Sequence, residues 1–390
     1  WRRYTLDLDN DPTNNSADAE FNVAIVGEQE NGETYVIPPG VRREELNNNN
    51  NIIRQNEQSL VLETCDLDPT DSRGVFKNVN VDMRQYKKLR MFLHAQAQGN
   101  QSLEDGELIG FIRMGNDFTD NFYEIQIPLK VSPNLSNPTE RDVWPLENEI
   151  EIPLEYLQQI KSRGISTGSL TDVNPTYYNI IDGNLIDSPI TDPNLPFLDI
   201  NTSPRQQRIG IRGNPNFGDI RVLMVGLKNS GSSITNPTAC GEVWYNELRM
   251  SDLDNEGGWA AVLSMDTNLA DFADVSASGR RSTVGFGGID QSPNERSRED
   301  VIQYDVVTNI QLGQLLPKKW GVQIPFNYSQ SEETITPQFD EFYQDIELQT
   351  QLDNTTNQDS ILNVNENYTK RKSINFIGVK KQRTGDSDKR

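Results

Sequence analysis

Beyond position 256 the chain alternates apolar and polar residues with a period of two. In "VIQYDVVTNIQLG", Ile302, Tyr304, Val306, Thr308, Ile310 and Leu312 share one parity. Gln303, Asp305, Val307, Asn309, Gln311 and Gly313 share the other. "KKWGVQIPFNYSQ" repeats the pattern, with Trp320, Val322, Ile324, Phe326 and Tyr328 set against Gly321, Gln323, Pro325, Asn327 and Ser329. "GGWAAVLSMDTNLADF" places Trp259, Ala261, Leu263, Met265 and Leu269 on one parity. Successive side chains of a strand point to opposite faces, so each segment predicts a strand with one apolar and one wet side.

Three features favour lipid over a second soluble sandwich for this region. The alternating segments run to 11–13 residues, close to the length of a tilted strand that crosses a bilayer. Aromatics fall toward segment ends, Trp320 and Tyr328 bracketing one of them, as interfacial girdles require. The brief connection "QLLPKK" is followed by a polar loop at about 330–370, after which "RKSINFIGVKK" resumes the alternation. The expectation for residues 253–390 is therefore antiparallel transmembrane β-barrel strands, closed barrels being the one sheet form that satisfies its backbone in lipid. Trp259, Leu263, Ile302, Tyr304, Val306, Ile310, Trp320, Val322, Ile324, Phe326 and Tyr328 are expected to face lipid, and Gln303, Asp305, Asn309, Gln323 and Asn327 to face a lumen. Pro325 interrupts this scheme, because proline cannot donate to a ladder; it marks a bulge or an unpaired strand.

The earlier part reads differently. Residues 1–58 are irregular, broken by "YTLDL" and "FNVAIVG", with the Asn47–Asn51 run as a loop tip. Over 59–252, short alternating segments separated by turn signals predict an extramembrane antiparallel sandwich: "SLVLETCDL", "VFKNVNVDM", "KKLRMFLHAQ", "LIGFIRMG", "NFYEIQIPLKV", "QRIGIRG", "DIRVLMVGLKN" and "GEVWYNELRMSD". Leu89, Met91 and Leu93 share one face, and Tyr123, Ile125 and Ile127 alternate with Glu124 and Gln126 as in half-buried strands. "PLEYLQQIKSRG" predicts a helix from Pro153 to a stop at Gly164, its Leu154, Leu157 and Ile160 stripe facing the core. Residues 165–204 read as a long connection. The order of these pieces resembles the jelly rolls of carbohydrate-binding modules, so the fold class expected is all-β: a jelly-roll-like sandwich with one or two short helices, then barrel strands.

Charge narrows the partners. With 36 Lys plus Arg against 58 Asp plus Glu, the net charge of −22 over 390 residues leaves no basic excess to displace counterions from nucleic acid. The length suggests about two domains. No run of about 20 apolar residues forms a membrane helix. The start "WRRYTLDLDN" lacks an apolar signal core, and without an initiator Met it favours a processed chain or a piece. Cys65 and Cys240 pair in an oxidising compartment or stand as two buried thiols. The single histidine, His94, inside "LRMFLHAQ", reads as structural, and one histidine supports neither a nucleophile–base pair nor a zinc site. "SDLDNEGG" offers Asp252 and Asp254 as weak calcium ligands, but the spacing is not that of an EF-hand and a solvated turn is the simpler reading. No catalytic residue and no cofactor is expected, since scattered carboxylates do not make a facing acid–base pair.

"GEVWYNELRMSDLDNEGGWAA", "STVGFGGIDQSPNERS", "QLLPKKWGVQIPFNYSQSEETITPQFD", "SINFIGVKK" and "VIPPGVRREE" resemble the SprA (Sov) family, the giant outer-membrane translocon proteins of type IX secretion and gliding motility. The resemblance implies an internal fragment of one very large single-chain barrel, a few of whose strands cannot close by themselves. It implies a Gram-negative outer membrane, with the extramembrane part on the extracellular side. It also implies as partners the rest of the barrel chain, secreted cargo proteins, a PorV-like shuttle protein, a plug protein and outer-membrane lipid. The alternative is a carbohydrate-binding or adhesion module at the cell surface, with Trp144, Trp244 and Tyr245 as the stacking aromatics.

Overall fold

Alternating β-branched segments pair with their neighbours along most of the chain. The computed structural model describes residues 1–4, 8, 19–32, 35–42, 45–48, 51–54, 56–99, 101–233, 237–292 and 295–382. The strands are β1 (Arg2–Arg3), β2 (Glu20–Gly27), β3 (Glu45–Asn48), β4 (Asn51–Arg54), β5 (Gln58–Leu67), β6 (Ser72–Val81), β7 (Tyr86–Ala97), β8 (Leu108–Gly115), β9 (Phe122–Pro128), β10 (Glu149–Pro153), β11 (Thr176–Ile181), β12 (Asn184–Ile190), β13 (Gln206–Arg212), β14 (Ile220–Asn229) and β15 (Ala239–Leu253), then β16 (Ala260–Leu269), β17 (Ala273–Ser282), β18 (Glu299–Gln311), β19 (Val322–Gln323), β20 (Pro325–Pro337), β21 (Asn367–Asn375) and β22 (Lys380–Lys381). The helices are α1 (Glu28–Asn31), α2 (Glu140–Val143), α3 (Leu154–Thr167), α4 (Leu348–Asp353) and α5 (Gln358–Asn365). The fold is all-β, and it divides into a unit over Trp1–Asp254 and a unit over Asn255–Arg390.

In the first unit an eight-stranded sheet, β1-β6-β14-β8-β9-β13-β11-β12, accompanies a five-stranded sheet, β10-β7-β15-β5-β2. The parity in β7 explains why they pack. Leu89, Met91, Leu93 and Ala95 enter a core shared with Ile112, Ile125, Ile209, Val225 and Val243, while Phe92 points away into a second cluster with Val61, Trp144 and Trp244. Burying each such side chain stabilises the fold by about 1.5–3 kcal/mol.

Four expectations change. Helix α3 runs through Gly164 and stops at Gly168, whose φ of 77° is left-handed, the usual glycine exit. Gly164 serves packing instead, since a Cβ there would lie 2.4 Å from Leu170 Cδ2. The connection at 165–204 contains the hairpin β11–β12, turned at Asp182 (φ 49°) and Gly183 (φ 79°). An Asp-Gly pair takes two left-handed conformations at little cost, and the run of polar letters around it hid the signal. Glu124 and Gln126 are buried rather than half-exposed, because the ion pair with Arg113 and a hydroxyl from Tyr177 satisfy the carboxylate. Most of "YTLDL" lies outside the described residues, and the Asn47–Asn51 run falls on the β3–β4 hairpin, residues 49 and 50 lying outside them too.

His94 shows why a lone histidine belongs to a core. Nδ1 lies 2.8 Å from the Val143 carbonyl, Nε2 lies 3.2 Å from Gln96 Oε1, and the ring packs 4.2 Å from that of Trp244. Burial lowers its pKa below the ordinary 6.5. The folded state therefore keeps it neutral while the unfolded chain protonates near 6.5, so the unfolded state binds more protons below that value and stability falls on acidification. Denaturant midpoints between pH 7.5 and 5 should drop for the wild-type chain and drop less for His94→Gln, which keeps hydrogen-bonding groups without titrating.

Candidate functional site

The second unit is built on an antiparallel sheet ordered β16-β17-β18-β20-β21. Directly opposed residues in such a ladder share a face, so the register sorts every side chain. One row runs Leu269, Ala273, Ile310, Phe326. The next runs Thr267, Val275, Thr308, Tyr328, Ile374, and the third Met265, Ala277, Val306, Gln330, Lys372. Then come Leu263, Gly279, Tyr304, Glu332, Lys370, and finally Ala261, Arg281, Ile302, Thr334, Tyr368. Leu263, Ile302, Tyr304, Val306, Ile310, Phe326 and Tyr328 thus lie on one face, as their parity predicts. Leu263 is 78% exposed and Ile374 63%, which is unusual for an apolar sheet face in water. Trp259 precedes β16, where its amide is bonded to Thr283 Oγ1.

The opposite face is wet. Asn268, Asp274, Asn309, Asn327 and Asn375 form a row across all five strands. Its side chains hydrogen-bond along the row: Asn268 Nδ2 donates to Asp274 Oδ1 at 2.5 Å, Asn327 Nδ2 to Asn309 Oδ1 at 2.7 Å and Asn375 Nδ2 to Asn327 Oδ1 at 3.3 Å. Further along, Gln303 Nε2 donates to Asp305 Oδ2 at 3.1 Å. Gln303, Asp305, Asn309 and Asn327 are all here. Val262, Val301, Val307 and Ile335 are the large aliphatic residues on this side.

Three details differ from the sequence reading. Trp320 sits in a 3₁₀ turn over Lys318–Trp320, and Gly321 follows with φ 60°. Val322 and Gln323 form β19, which pairs with Lys380 and Lys381 of β22 in a separate two-stranded sheet. The parity count therefore does not run from Trp320, Val322, Gln323 and Ile324 into Phe326. Pro325 gives the physical reason: it is the first residue of β20, opposite Gln311, the position where a strand tolerates a missing donor. The expected polar loop at 330–370 is shorter, since β20 continues to Pro337 and β21 begins at Asn367, with α4 and α5 between. Strand β17, whose "ADVSASGRRS" has few large apolar residues, escaped pattern reading; its alternation of Ala273, Val275, Ala277 and Gly279 with Asp274, Ser276 and Ser278 was the available signal.

Polar residues also occur on the apolar face. Glu332 accepts from Tyr368 Oη at 3.0 Å, from Gln330 Nε2 at 2.7 Å and from Lys370 Nζ. Arg281 lies 5.3 Å from the centre of the Trp259 ring.

The other candidate chemistry resolves into structure. Asp252 approaches Lys88 at 3.6 Å and Asp254 approaches Lys87 at 3.4 Å, and the described residues contain no group of three or more His, Cys, Asp or Glu able to hold a metal. Trp144 is fully buried, and Trp244 and Tyr245 are each 5% exposed, so none offers a ring face for a sugar to stack on. Cys65 and Cys240 are joined in a disulfide.

No curated protein matches the chain. The family described as SprA_N, motility related/secretion protein, matches it over residues 1–352. With most of its length inside that match, the chain belongs to the SprA_N family of motility-related and secretion proteins.

Proposed function

We propose that residues 255–382 are part of the wall of a very large outer-membrane barrel that conducts proteins in type IX secretion, and that residues 1–254 form an extramembrane sandwich of the same translocon. The observation that carries this reading is the two-faced sheet, with rows of exposed Leu, Met and Ile behind a hydrogen-bonded row of Asn and Asp. A protein conduit needs a hydrated inner surface and an apolar outer one, and no catalytic group. Among the described residues the sheet ends in the unpaired edges of β16 and β21. In hydrocarbon those amides need partners, which the rest of the barrel chain supplies on both sides. Secreted cargo, a PorV-like shuttle and a plug protein are the soluble or accessory partners of that assembly.

Loop lengths support an orientation. The connections at 283–298 and 338–366 leave one end of the sheet, and Ala270–Phe272 and 312–324 leave the other. Outer-membrane strands carry their longer loops outside the cell. The chain enters β16 at the long-connection end, which supports an extracellular side for residues 1–254. The adhesion alternative finds no support in the buried Trp144 and Trp244.

Adjacent residues test the reading. In the full-length protein, Leu263→Arg is expected to lower folding stability in bilayers by about 2–4 kcal/mol if it lies near the midplane, and Ser264→Arg to change it by less than about 0.5 kcal/mol. Equal losses at the two positions would remove the face assignment and, with it, the barrel wall.

A further inference from the structure

The two ends of the sheet differ in charge. At the end of the long connections, Arg281, Lys370 and Lys372 share the apolar face with Asp300, Glu332 and Glu366, and the signs balance. At the other end, residues 312–324 and 376–382 hold Lys318, Lys319, Lys380 and Lys381 and no Asp or Glu. The third connection there, Ala270–Phe272, contributes Asp271 alone. Over 383–390, outside the described residues, the sequence adds Arg383, Lys389 and Arg390 against Asp386 and Asp388. In a chain of net charge −22 this is a local cationic excess. Among the described residues, Lys318, Lys380 and Lys381 take part in no ion pair, whereas Lys370 at the far end is bound to Glu332.

The ladder gathers these lysines. Strands β20 and β21 pair as far as Asn327 opposite Asn375. After a one-residue shift in register the same two stretches of chain pair again as β19 and β22, Val322 opposite Lys381 and Gln323 opposite Lys380. This ribbon lies beyond Gln311 opposite Pro325, the last pair of β18 with β20. Opposed residues share a face, so each side of the ribbon presents one lysine. The amide of Gln382 donates to the Gly321 carbonyl at 2.6 Å, which ties the Lys318–Trp320 turn to β22. Exposed apolar groups surround the lysines: Trp320 is 55% exposed, and Leu315, Ile377 and Val379 are exposed with it. The Phe376 ring packs 5.2 Å from that of Phe326, a member of the Leu269, Ala273, Ile310 row. The apolar surface of the sheet therefore runs on to the ribbon. Tryptophan favours headgroup depth, and long lysine stems lie along apolar surface while their charges reach polar groups.

We propose that Lys318, Lys380 and Lys381 bind the phosphates of anionic glycerophospholipids in the leaflet at the short-connection end, the inner leaflet in the orientation above. Trp320 then lies among the headgroups, and the acyl chains lie against Phe326 and Phe376. The ribbon rests on the barrel-wall reading. Its apolar groups continue the sheet's apolar face, which favours lipid over an acidic protein segment as the occupant. Each lysine close to an anionic surface strengthens binding about fivefold, so removing three should weaken it roughly hundredfold.

The test uses the full-length protein stripped of lipid in neutral detergent, with binding followed by native mass spectrometry. Phosphatidylglycerol, phosphatidylethanolamine, inorganic phosphate and polyglutamate are the probes. Phosphatidylglycerol should bind the wild type more tightly than phosphatidylethanolamine does. It should bind Lys318→Gln/Lys380→Gln/Lys381→Gln roughly hundredfold more weakly. It should bind Arg280→Gln/Arg281→Gln/Lys372→Gln, which loses the same charge at the far end, as it binds the wild type. Millimolar inorganic phosphate should not displace it. Equal binding of the two lipids, equal losses in the two variants, or displacement by free phosphate would overturn the ribbon site. Phosphatidylglycerol binding that ignores the lysine substitutions, with polyglutamate binding that depends on them, would assign the ribbon to an acidic protein segment instead. If the protein stays dispersed without any amphiphile, the barrel-wall reading fails as well; if it needs detergent but does not prefer the anionic lipid, only the ribbon site fails.

Discussion

Replacing Arg113 by Met should destabilise the sandwich unit by about 3–5 kcal/mol at neutral pH, the usual loss when one partner of a buried ion pair is removed. Arg113 on β8 and Glu124 on β9 face each other in register, with Nε 2.6 Å from Oε2 and side chains only 7% and 4% exposed. Both groups have further partners. Arg113 Nη1 donates to the carbonyls of Leu8 at 3.1 Å and Phe118 at 2.8 Å, and the guanidinium lies 4.2 Å over the Phe122 ring. Gln126 Nε2 and Tyr177 Oη donate to Glu124 Oε1 at 2.6 and 2.9 Å. Without Arg113 the carboxylate stays buried with only neutral donors.

The pH dependence identifies the cause. Burial pushes the Glu124 carboxyl up, but the Arg113 charge and the hydrogen bonds from Arg113, Gln126 and Tyr177 outweigh it and hold the group below its ordinary 4.5. In the wild type this contributes stability above the unfolded value that is lost as pH falls through the folded one. In the variant burial dominates, the carboxyl takes up a proton more readily than in the unfolded chain, and acid relieves the penalty. Urea denaturation should therefore show the gap between wild type and Arg113→Met narrowing from pH 7.5 to pH 4.5, and Arg113→Met/Glu124→Leu should regain most of the loss. A gap that is constant with pH would show that lost packing, not a stranded charge, is responsible.

Breaking the Cys65–Cys240 bond is expected to have a comparable effect. The bond closes a loop spanning 175 residues, which holds every strand from β6 to β14. Restricting that loop in the unfolded chain stabilises the fold by about 5 kcal/mol in the chain-entropy account, and losses on removing native disulfides are commonly about 2–5 kcal/mol. Cys240→Ser should lower the denaturation midpoint accordingly. Reductant should do the same to the wild type and nothing further to the variant. An unchanged midpoint in reductant would mean that the two sulfurs contribute as packed side chains alone.

How far the sequence carried depended on how local each signal was. Parity in β7 and β18 is a property of neighbouring letters, so the inward Leu89, Met91 and Leu93 and the shared face of Ile302, Tyr304, Val306 and Ile310 were legible. The ends of β20 were not. Its polar half, Gln330 to Pro337, pairs along β18 and β21, and pairing with distant strands leaves no mark on composition. Glu124 escaped for the same reason: alternation with Ile125 reads as solvent, and only the partner strand reveals Arg113 opposite. Strand β17 is built from Ala, Ser and Gly, which carry little hydrophobic contrast. Within the candidate site the unlike faces could be read in advance, whereas the Glu332 group needed the register, because its members come from two separate strands.

The row of Asn268, Asp274, Asn309, Asn327 and Asn375 bears on assembly. If any one strand were threaded a single residue out of step, its member of the row would swing to the opposite surface and its bonding partners would be left stranded. Misthreading is thus penalised twice, by the broken hydrogen bonds of the row and by a polar side chain moved onto the apolar face. The sheet carries its own proofreading of register.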